Sequence, residues 1–447
     1  MQKLVIKNQF MGVKPCEIEI RRFLLLIGEQ ASGKSTIAKL IYFFQTLPDA
    51  IYEGAVLGLG RGNFSYVNDI NLVARYRFVD TFGPTTRANK FEIEFWYDEK
   101  SFLKVYQDPN DGLTYALFEN NLGRKLGGIV KDYLKTPSSV GAENILTRES
   151  FLRDIYEVFR QQNTKFNYII SGRNSVVAYP DLIGEKVKYE IEKIVEDEVR
   201  EMDFEKKKRR GNEMLFLEFV EWSESIRKYF RENGGSFNGV IANLQLQNES
   251  SLKLISRISS SILKGTYKSN SWGESLNPTD NRQASIAFKD ASSGQQEVLR
   301  ILQGLFVSIG TRNRQEFMIV EEPEAHLYPL AQKELINAFA VFLNTIPQGR
   351  LVITTHSPYI LACINILLMA SYVATQSQNG QREETARIVE ANFWLNSDIF
   401  NAYSIGHSEI YCRSIKDPET GLIDQNYLDL ISEQLGLQYQ QLYEILS

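Results

Sequence analysis

Cysteine and histidine are scarce, three of each in 447 residues. Cys16, Cys363 and Cys412 are far apart and odd in number, which argues against a disulfide framework and fits a reducing compartment. Each reads as core filler. His326, His356 and His407 show no zinc-ligand spacing. Basic charge is not in surplus either: the net charge is −5, so no global field advertises nucleic-acid binding, which would need a local patch. Long apolar runs are missing as well. The first nine residues lack the apolar core of a secretory signal. The longest apolar region, Ile360 to Val373, is interrupted by Cys363, Asn365 and Ser371; it is short for a bilayer span and reads as a buried helix. These absences predict a cytoplasmic protein with no membrane partner. Hydrophobic content of 43% with 23% charged residues is ordinary for a globular chain, and the length predicts two or three structural units.

What is present begins with Gly28-Glu29-Gln30-Ala31-Ser32-Gly33-Lys34-Ser35-Thr36. The apolar run Phe23 to Ile27 leads in as a buried parallel strand, and Ile37, Leu40, Ile41 and Phe44 follow on one helix face. That is the strand–GxxxxGK[ST]–helix context of a phosphate loop. Glycines let backbone N–H groups converge on an anion, and the helix N-terminus adds its positive end. Gly28, Gln30, Ala31, Ser32, Gly33, Lys34, Ser35 and Thr36 are therefore the predicted ATP contacts. Lys34 would reach the β- and γ-phosphates, and the Ser35 hydroxyl would hold Mg²⁺.

Glu316 to Pro323 is an apolar strand ending in paired carboxylates, a Walker B layout. Glu321 is assigned to the metal, through water, and Glu322 to the attacking water. The strand Leu351 to Thr355 then delivers His356, which reads either as a cap for the next helix or as a sensor of the γ-phosphate. The company of the two other motifs favours the sensor. Ala291 to Glu297 opens a helix with small residues, a second anion-binding N-terminus. One chain already has a phosphate loop, so Ser292, Ser293, Gly294 and Gln295 are predicted to cover the γ-phosphate held by a partner subunit.

The remaining chain divides by composition. Leu4 to Ile6 and Cys16 to Ile20 read as strands beside the phosphate-loop strand. A β-rich region is expected from Pro48 to Tyr115, including Arg77 to Val79, Phe91 to Tyr97 and Phe102 to Tyr106. Ser150 to Gln161 reads as a helix capped by Ser150, and Tyr168 to Arg173 as a short interruption between helices. Residues 187–202 and 213–232 are predicted helices, the second stopped by Asn233-Gly234-Gly235. The basic run Lys206 to Arg210 is either a contact for phosphate backbone or a solvated loop at a helix end. Ile262 to Tyr267 and Ala284 to Phe288 are predicted to form a hairpin, and Asn426 to Leu446 a closing helix.

The ordered motifs resemble those of the ATP-binding-cassette ATPases. Ser292, Gly294 and Gln295 match that family's signature loop, with Ala291 in place of leucine and Ser293 in place of glycine; His356 matches the switch histidine. More narrowly, Ile319 to Pro329 with Thr355 to Pro358 resembles the OLD-like ATPases, relatives of RecF and SMC heads. Glu321 stands where aspartate is usual, Ala325 to Pro329 lacks the D-loop aspartate, and Asp80 to Gly83 is the candidate Q-loop. About seventy residues follow the switch-histidine helix, too few for the TOPRIM nuclease of OLD proteins, so any nuclease is expected on another polypeptide. Stand-alone ATPases of this kind resemble the ATPase subunits of antiphage systems such as Septu, PARIS and retrons.

The expectation is an α/β P-loop NTPase of ABC-ATPase head type with a β-rich subdomain and a helical insertion. Residues 1–130 and 261–390 would form the head, 131–260 the insertion and 391–447 a docking segment. Such a protein would dimerise around ATP and Mg²⁺, as a homodimer or larger homo-oligomer, and regulate a separate effector, a nuclease or toxin. The alternatives are a RecF/SMC-like DNA-repair ATPase, with DNA as partner, and a nucleotide-dependent structural scaffold.

Overall fold

The computed structural model describes residues 2–58, 66–83, 90–135, 142–162, 164–178, 211–244, 246–280, 284–311, 315–376, 381–406, 410–424 and 440–441. Its centre is a six-stranded sheet. Strand β3 (Phe23–Ile27) is buried at every residue, as a parallel strand covered by helices on both faces must be. Strand β12 (Arg350–Thr355) lies on one side of it and β13 (Phe400–Ile405) on the other, both parallel. Beyond β12 come β11 (Gln315–Glu321) and β7 (Thr164–Ile169), also parallel. The antiparallel β14 (Cys412–Ser414) closes the order β14-β13-β3-β12-β11-β7. Thr355 pairs with Ile27, and Glu321 with Thr354, so the carboxyl ends of β3, β12 and β11 meet at one sheet edge. Ligands of open α/β sheets bind at such an edge.

The predicted neighbours of β3 are elsewhere. Both its edges are taken, and β1 (Gln2–Ile6) and β2 (Cys16–Ile20) form an antiparallel sheet with β4 (Glu92–Trp96), β5 (Phe102–Gln107) and β6 (Thr114–Phe118). Leu4, Ile6, Ile18 and Ile20 are buried with exposed or half-buried residues between them, the alternation of a sheet covered on one face. This sheet is the expected β-rich subdomain, but its region does not begin at Pro48. The helix Lys34–Gly58 runs through that proline. Proline cannot donate to the carbonyl four residues back; the buried Tyr97 hydroxyl donates to that carbonyl, Phe44 O, at 2.9 Å instead.

Arg77 to Val79 is likewise helical, within Tyr66–Phe82, because Ile70, Ala74 and Phe78 bury one helix stripe against Phe10, Phe43 and Phe91. Asp80 to Gly83 is that helix's last turn, where Gly83 N–H donates to Val79 O. Ser150 lies inside the helix Ala142–Val158 and caps nothing. Tyr168 to Arg173 is no mere interruption, since β7 occupies 164–169 as a strand of the central sheet. The predicted hairpin is shifted: Ile262 and Leu263 end the helix Glu249–Leu263, and β8 (Gly265–Asn270) pairs with β9 (Gly273–Pro278), leaving only β10 (Ile286–Ala287) further on. The helix Gly211–Glu232 stops as expected, with Gly234 and Gly235 at positive φ and Gly235 N–H donating to Phe230 O.

The helix Pro358–Gln376 is half covered. Its 19 residues are long and apolar enough to cross a membrane by composition, and Ile360, Leu361, Ile364 and Leu367 pack into the core while Ile366, Met369 and Tyr372 are exposed. The helix predicted at 187–202 and the basic run 206–210 lie outside the described residues, as does the closing helix apart from 440 and 441.

Candidate functional site

The loop between β3 and its helix turns through two positive-φ residues, Ala31 at 60° and Gly33 at 97°. A Cβ on Gly28 would sit 2.1 Å from Ile405 O, so only glycine lets the loop's first residue pass under β13. Lys34 is 5% exposed, and its Nζ donates to Gly28 O at 2.7 Å and Glu29 O at 2.6 Å. Burial lowers its pKa, while the carboxylates of Glu322, Glu324 and Glu29 pull it back up. The loop is braced from outside by Tyr411, whose hydroxyl donates to Ser32 O at 2.5 Å. Cys412, next in sequence, has its thiol within hydrogen-bonding reach of Cys16, and that contact and burial raise its pKa. Ser35 is exposed on the first helical turn.

The ends of β11 and β12 bring the predicted acids and the histidine together. Glu321 is buried; its Oε1 accepts from the Tyr168 hydroxyl at 2.7 Å and its Oε2 from Ser171 N–H at 3.2 Å. Each oxygen keeps a further lone pair for water. Glu322 has φ of 41°, a strained conformation for a non-glycine residue, and its N–H donates to Thr354 O. His356 Nδ1 lies 3.6 Å from Glu322 Oε1 and 3.4 Å from Glu324 Oε1. Glu324 is 4% exposed: Oε1 accepts from the Thr355 hydroxyl at 2.6 Å and His356 N–H at 3.0 Å, and Oε2 is buried with no partner. The fully buried Arg173 fixes the turn from behind. It donates to Glu321 O at 2.9 Å and Glu322 O at 3.2 Å and pairs with Glu297 at 3.2 Å, on the helix that the serine-rich loop opens. Truncating one partner of such a pair would leave an uncompensated buried charge.

Ser292 caps the helix Ser293–Gly310. Its Oγ accepts from Gln295 N–H, and Gln295 Oε1 accepts from Ser292 N–H, a reciprocal capping box. Gln295 Nε2 donates inward to Leu263 O at 2.6 Å. Gly294 is buried, and a Cβ there would meet His326 O at 2.5 Å. Ser292 and Ser293 therefore face solvent, and the adjoining turn exposes Tyr328 (78%) and Leu330 (56%).

Among the described residues no group of three or more His, Cys, Asp or Glu could cage a metal ion. That fits Mg²⁺, which takes few protein ligands and completes its shell with phosphate and water. The partnerless Glu324 oxygen, the lone pairs left on Glu321 and the exposed Ser35 supply oxygen donors of the right class.

Residues 1–361 match the profile of AAA_15, the AAA ATPase domain. The chain belongs to this ATPase family. Among solved structures it is similar to an SMC head bound to the C-terminal winged-helix domain of ScpA: 12% identity, TM-score 0.34, covering 81% of this chain and 90% of that one. A second SMC head, from Pyrococcus furiosus, with an extended coiled coil and the C-terminal domain of ScpA, gives 14%, 0.35, 81% and 92%. The SMC head domain from Thermotoga maritima gives 10%, 0.33, 81% and 90%. Among curated proteins none matches.

The ATPase fold thus gathers Lys34, Glu321, Glu322 and His356 at one sheet edge. The side-chain hydrogen bonds of Ser292 and Gln295 run within the serine-rich loop and to Leu263. Sequence reasoning missed Tyr168, Arg173, Glu324 and Tyr411. For Tyr168 and Arg173 the signal was there: the apolar Tyr168-Ile169-Ile170 ending at Ser171-Gly172 has the form of a short buried strand. Tyr411 carries no local pattern at all.

Proposed function

We propose that this ATPase hydrolyses Mg²⁺-bound ATP in a sandwich of two copies, and that opening and closing of the pair controls a separate effector. Lys34 and the loop N–H groups would grip the phosphates, and Ser35 and Glu321, the latter through water, would hold the ion. Its chemistry there would be positive charge beside the phosphate oxygens. In this reading Glu322 takes the proton of an attacking water, and His356 donates from Nε2 to the terminal phosphate while Nδ1 faces Glu322 and Glu324. The observation that carries this reading is the exposure of the serine-rich helix N-terminus. Ser292 and Ser293 point to solvent at a helix N-terminus, beside exposed Tyr328 and Leu330, while their own chain's phosphate loop is served by other residues. The similarity of the motif order to ABC-type and OLD-like ATPases supports the sandwich, and the resemblance to antiphage ATPase subunits supports an effector released in defence.

Glu322→Gln should keep ATP bound and convert the protein to a stable dimer, with turnover reduced about a hundredfold or more. Gel filtration with and without ATP reads the outcome; a variant that stays monomeric at saturating ATP removes the sandwich. Copurification of a nuclease or toxin, released by ATP in wild type and retained by Glu322→Gln, would support the effector. The scaffold reading gains from Tyr168 and Ser171, which already hold both Glu321 oxygens. It predicts full biological activity in Glu322→Gln. The DNA-repair reading predicts salt-dependent DNA binding that is lost with residues 206–210.

A further inference from the structure

The opposite edge of the central sheet carries a second concavity. Arg22 precedes β3, Arg350 opens β12, Gln315 opens β11 and Thr164 opens β7, and all four line a cleft of about 580 Å³. That volume is in the range of small-molecule sites. The described lining holds four arginines and one carboxylate, Asp398. Arg21 and Arg160 have acidic partners, Glu19 at 2.7 Å and Asp98 at 3.1 Å. Arg22 and Arg350 have none among the described residues. Arg22 donates to Leu343 O and Ile346 O at 2.9 Å, at the end of the helix Pro329–Thr345. Among the described residues Arg350 has neutral acceptors, Gln2 Oε1 at 2.6 Å and Gln45 Oε1 at 3.3 Å, and lies 4.7 Å over the Phe317 ring.

Burial lowers the pKa of both, Arg350 to about 10, with no acid pulling either back up. Half-buried guanidinium groups with no carboxylate partner among the described residues leave their charge unmatched, and their planar fork suits a phosphate or carboxylate. Gln161 adds a second unmet demand. It is 9% exposed, its Nε2 donates to Gln45 Oε1 at 2.8 Å, and its Oε1 is buried without a donor. The cleft thus asks for an oxyanion and, beside it, an N–H.

We propose that this cleft binds a small phosphorylated ligand, with the phosphate on Arg350 and Arg22 and an N–H of the same molecule on Gln161 Oε1. The site is separate from the phosphate loop, at the other ends of the same strands, and takes its anion without a divalent cation. Arg350 and Thr355 are the two ends of β12, so one strand spans both sites.

The test uses Lys34→Ala, which silences the phosphate loop, with inorganic phosphate, AMP and adenosine as probes at ionic strength fixed by sodium chloride. Calorimetry should show saturable, magnesium-independent binding of phosphate and tighter binding of AMP, and none of adenosine. Adding Arg350→Gln should weaken AMP at least about tenfold. Adding Gln161→Leu should weaken AMP and leave inorganic phosphate unchanged. Absence of saturable phosphate and AMP binding in Lys34→Ala overturns the proposal, as does a folded Arg350→Gln double variant that binds AMP like its parent. Should Arg350→Gln not fold, Arg22→Gln carries the same comparison.

Discussion

The two ends of the central sheet hold opposite charge for opposite reasons. Between them Phe317 to Val320 and Leu351 to Ile353 are buried, so ionised groups have no place mid-strand and collect where the strands stop. At the carboxyl ends Lys34 sits in the field of Glu322, Glu324 and Glu29, a cation outnumbered by acids. At the amino ends Arg22 and Arg350 meet carbonyls and amides but, among the described residues, no acid. An acidic pocket accepts a polyphosphate only together with a divalent cation; a desolvated pair of guanidinium groups accepts an anion alone. The same strands therefore build two sites with different ionic requirements.

The largest effect that separates them is Lys34→Ala. It should lower ATP affinity about a hundredfold or more, by removing the ammonium from a loop that otherwise offers only N–H dipoles. Inorganic phosphate at the amino-end cleft should bind as before. Calorimetry with both ligands checks this, and a parallel loss of both would merge the two ends into one coupled unit. Chelation comes next. With EDTA in place of Mg²⁺, ATP affinity should fall about ten- to a hundredfold, because Glu321, Glu322 and Glu324 are then left facing the triphosphate. Titration of a fluorescent ATP analogue reads it, and equal affinity with and without the ion would mean that the three glutamates do not face the nucleotide.

The comparison also explains what the sequence could and could not disclose. That Lys34, Glu321, Glu322 and His356 lie at strand ends was legible because each follows closely on a short apolar strand, a pattern confined to about ten residues. The partners were not legible because they come from afar. Tyr168 reaches Glu321 from 153 residues away, and Tyr411 reaches Ser32 from 379. The helix through Pro48 has its freed Phe44 carbonyl met by the Tyr97 hydroxyl, from a strand region far along the chain, so the expected β-rich region begins later than Pro48. Gln295, an expected nucleotide contact, has its amide engaged in capping its own helix and bonding Leu263, partners that the serine-rich pattern does not disclose. The arginine cleft has no motif, since Arg22, Gln45, Gln161 and Arg350 become neighbours only when the sheet forms.

Gly294→Ala gives a smaller effect and asks whether the serine-rich loop belongs to the acidic end of the partner. Its new Cβ would press on His326 O, a backbone atom that yields only with the turn, at about 1–3 kcal/mol. ATP binding to the monomer should be unchanged while the ATP-dependent dimer weakens about tenfold. Sedimentation of this substitution in the Glu322→Gln protein measures it; an unshifted dimer equilibrium would separate the loop from the interface.

The smallest effect calibrates the assumption behind the whole contrast, that an unpaired desolvated charge is destabilising in this molecule. Asp49 is the acidic counterpart of Arg350. Burial pushes its carboxyl up to about 6, with Glu53 adding to the rise and the Tyr156 hydroxyl, at 2.6 Å, and Arg77 opposing it. Because the folded-state value exceeds the ordinary 3.8, the native state holds a proton that the unfolded chain has lost between those two pH values. Stability contributed by this group is thus present below pH 4 and is lost as pH rises to 6 and beyond. Asp49→Asn keeps an acceptor for Tyr156 and removes the charge, so it should stabilise the protein by about 1–3 kcal/mol at pH 8 and by nothing near pH 4. Urea denaturation at the two pH values gives the difference directly. A gain of the same size at both would trace to packing, and the case for an anion beside Arg350 would then lose its energetic footing.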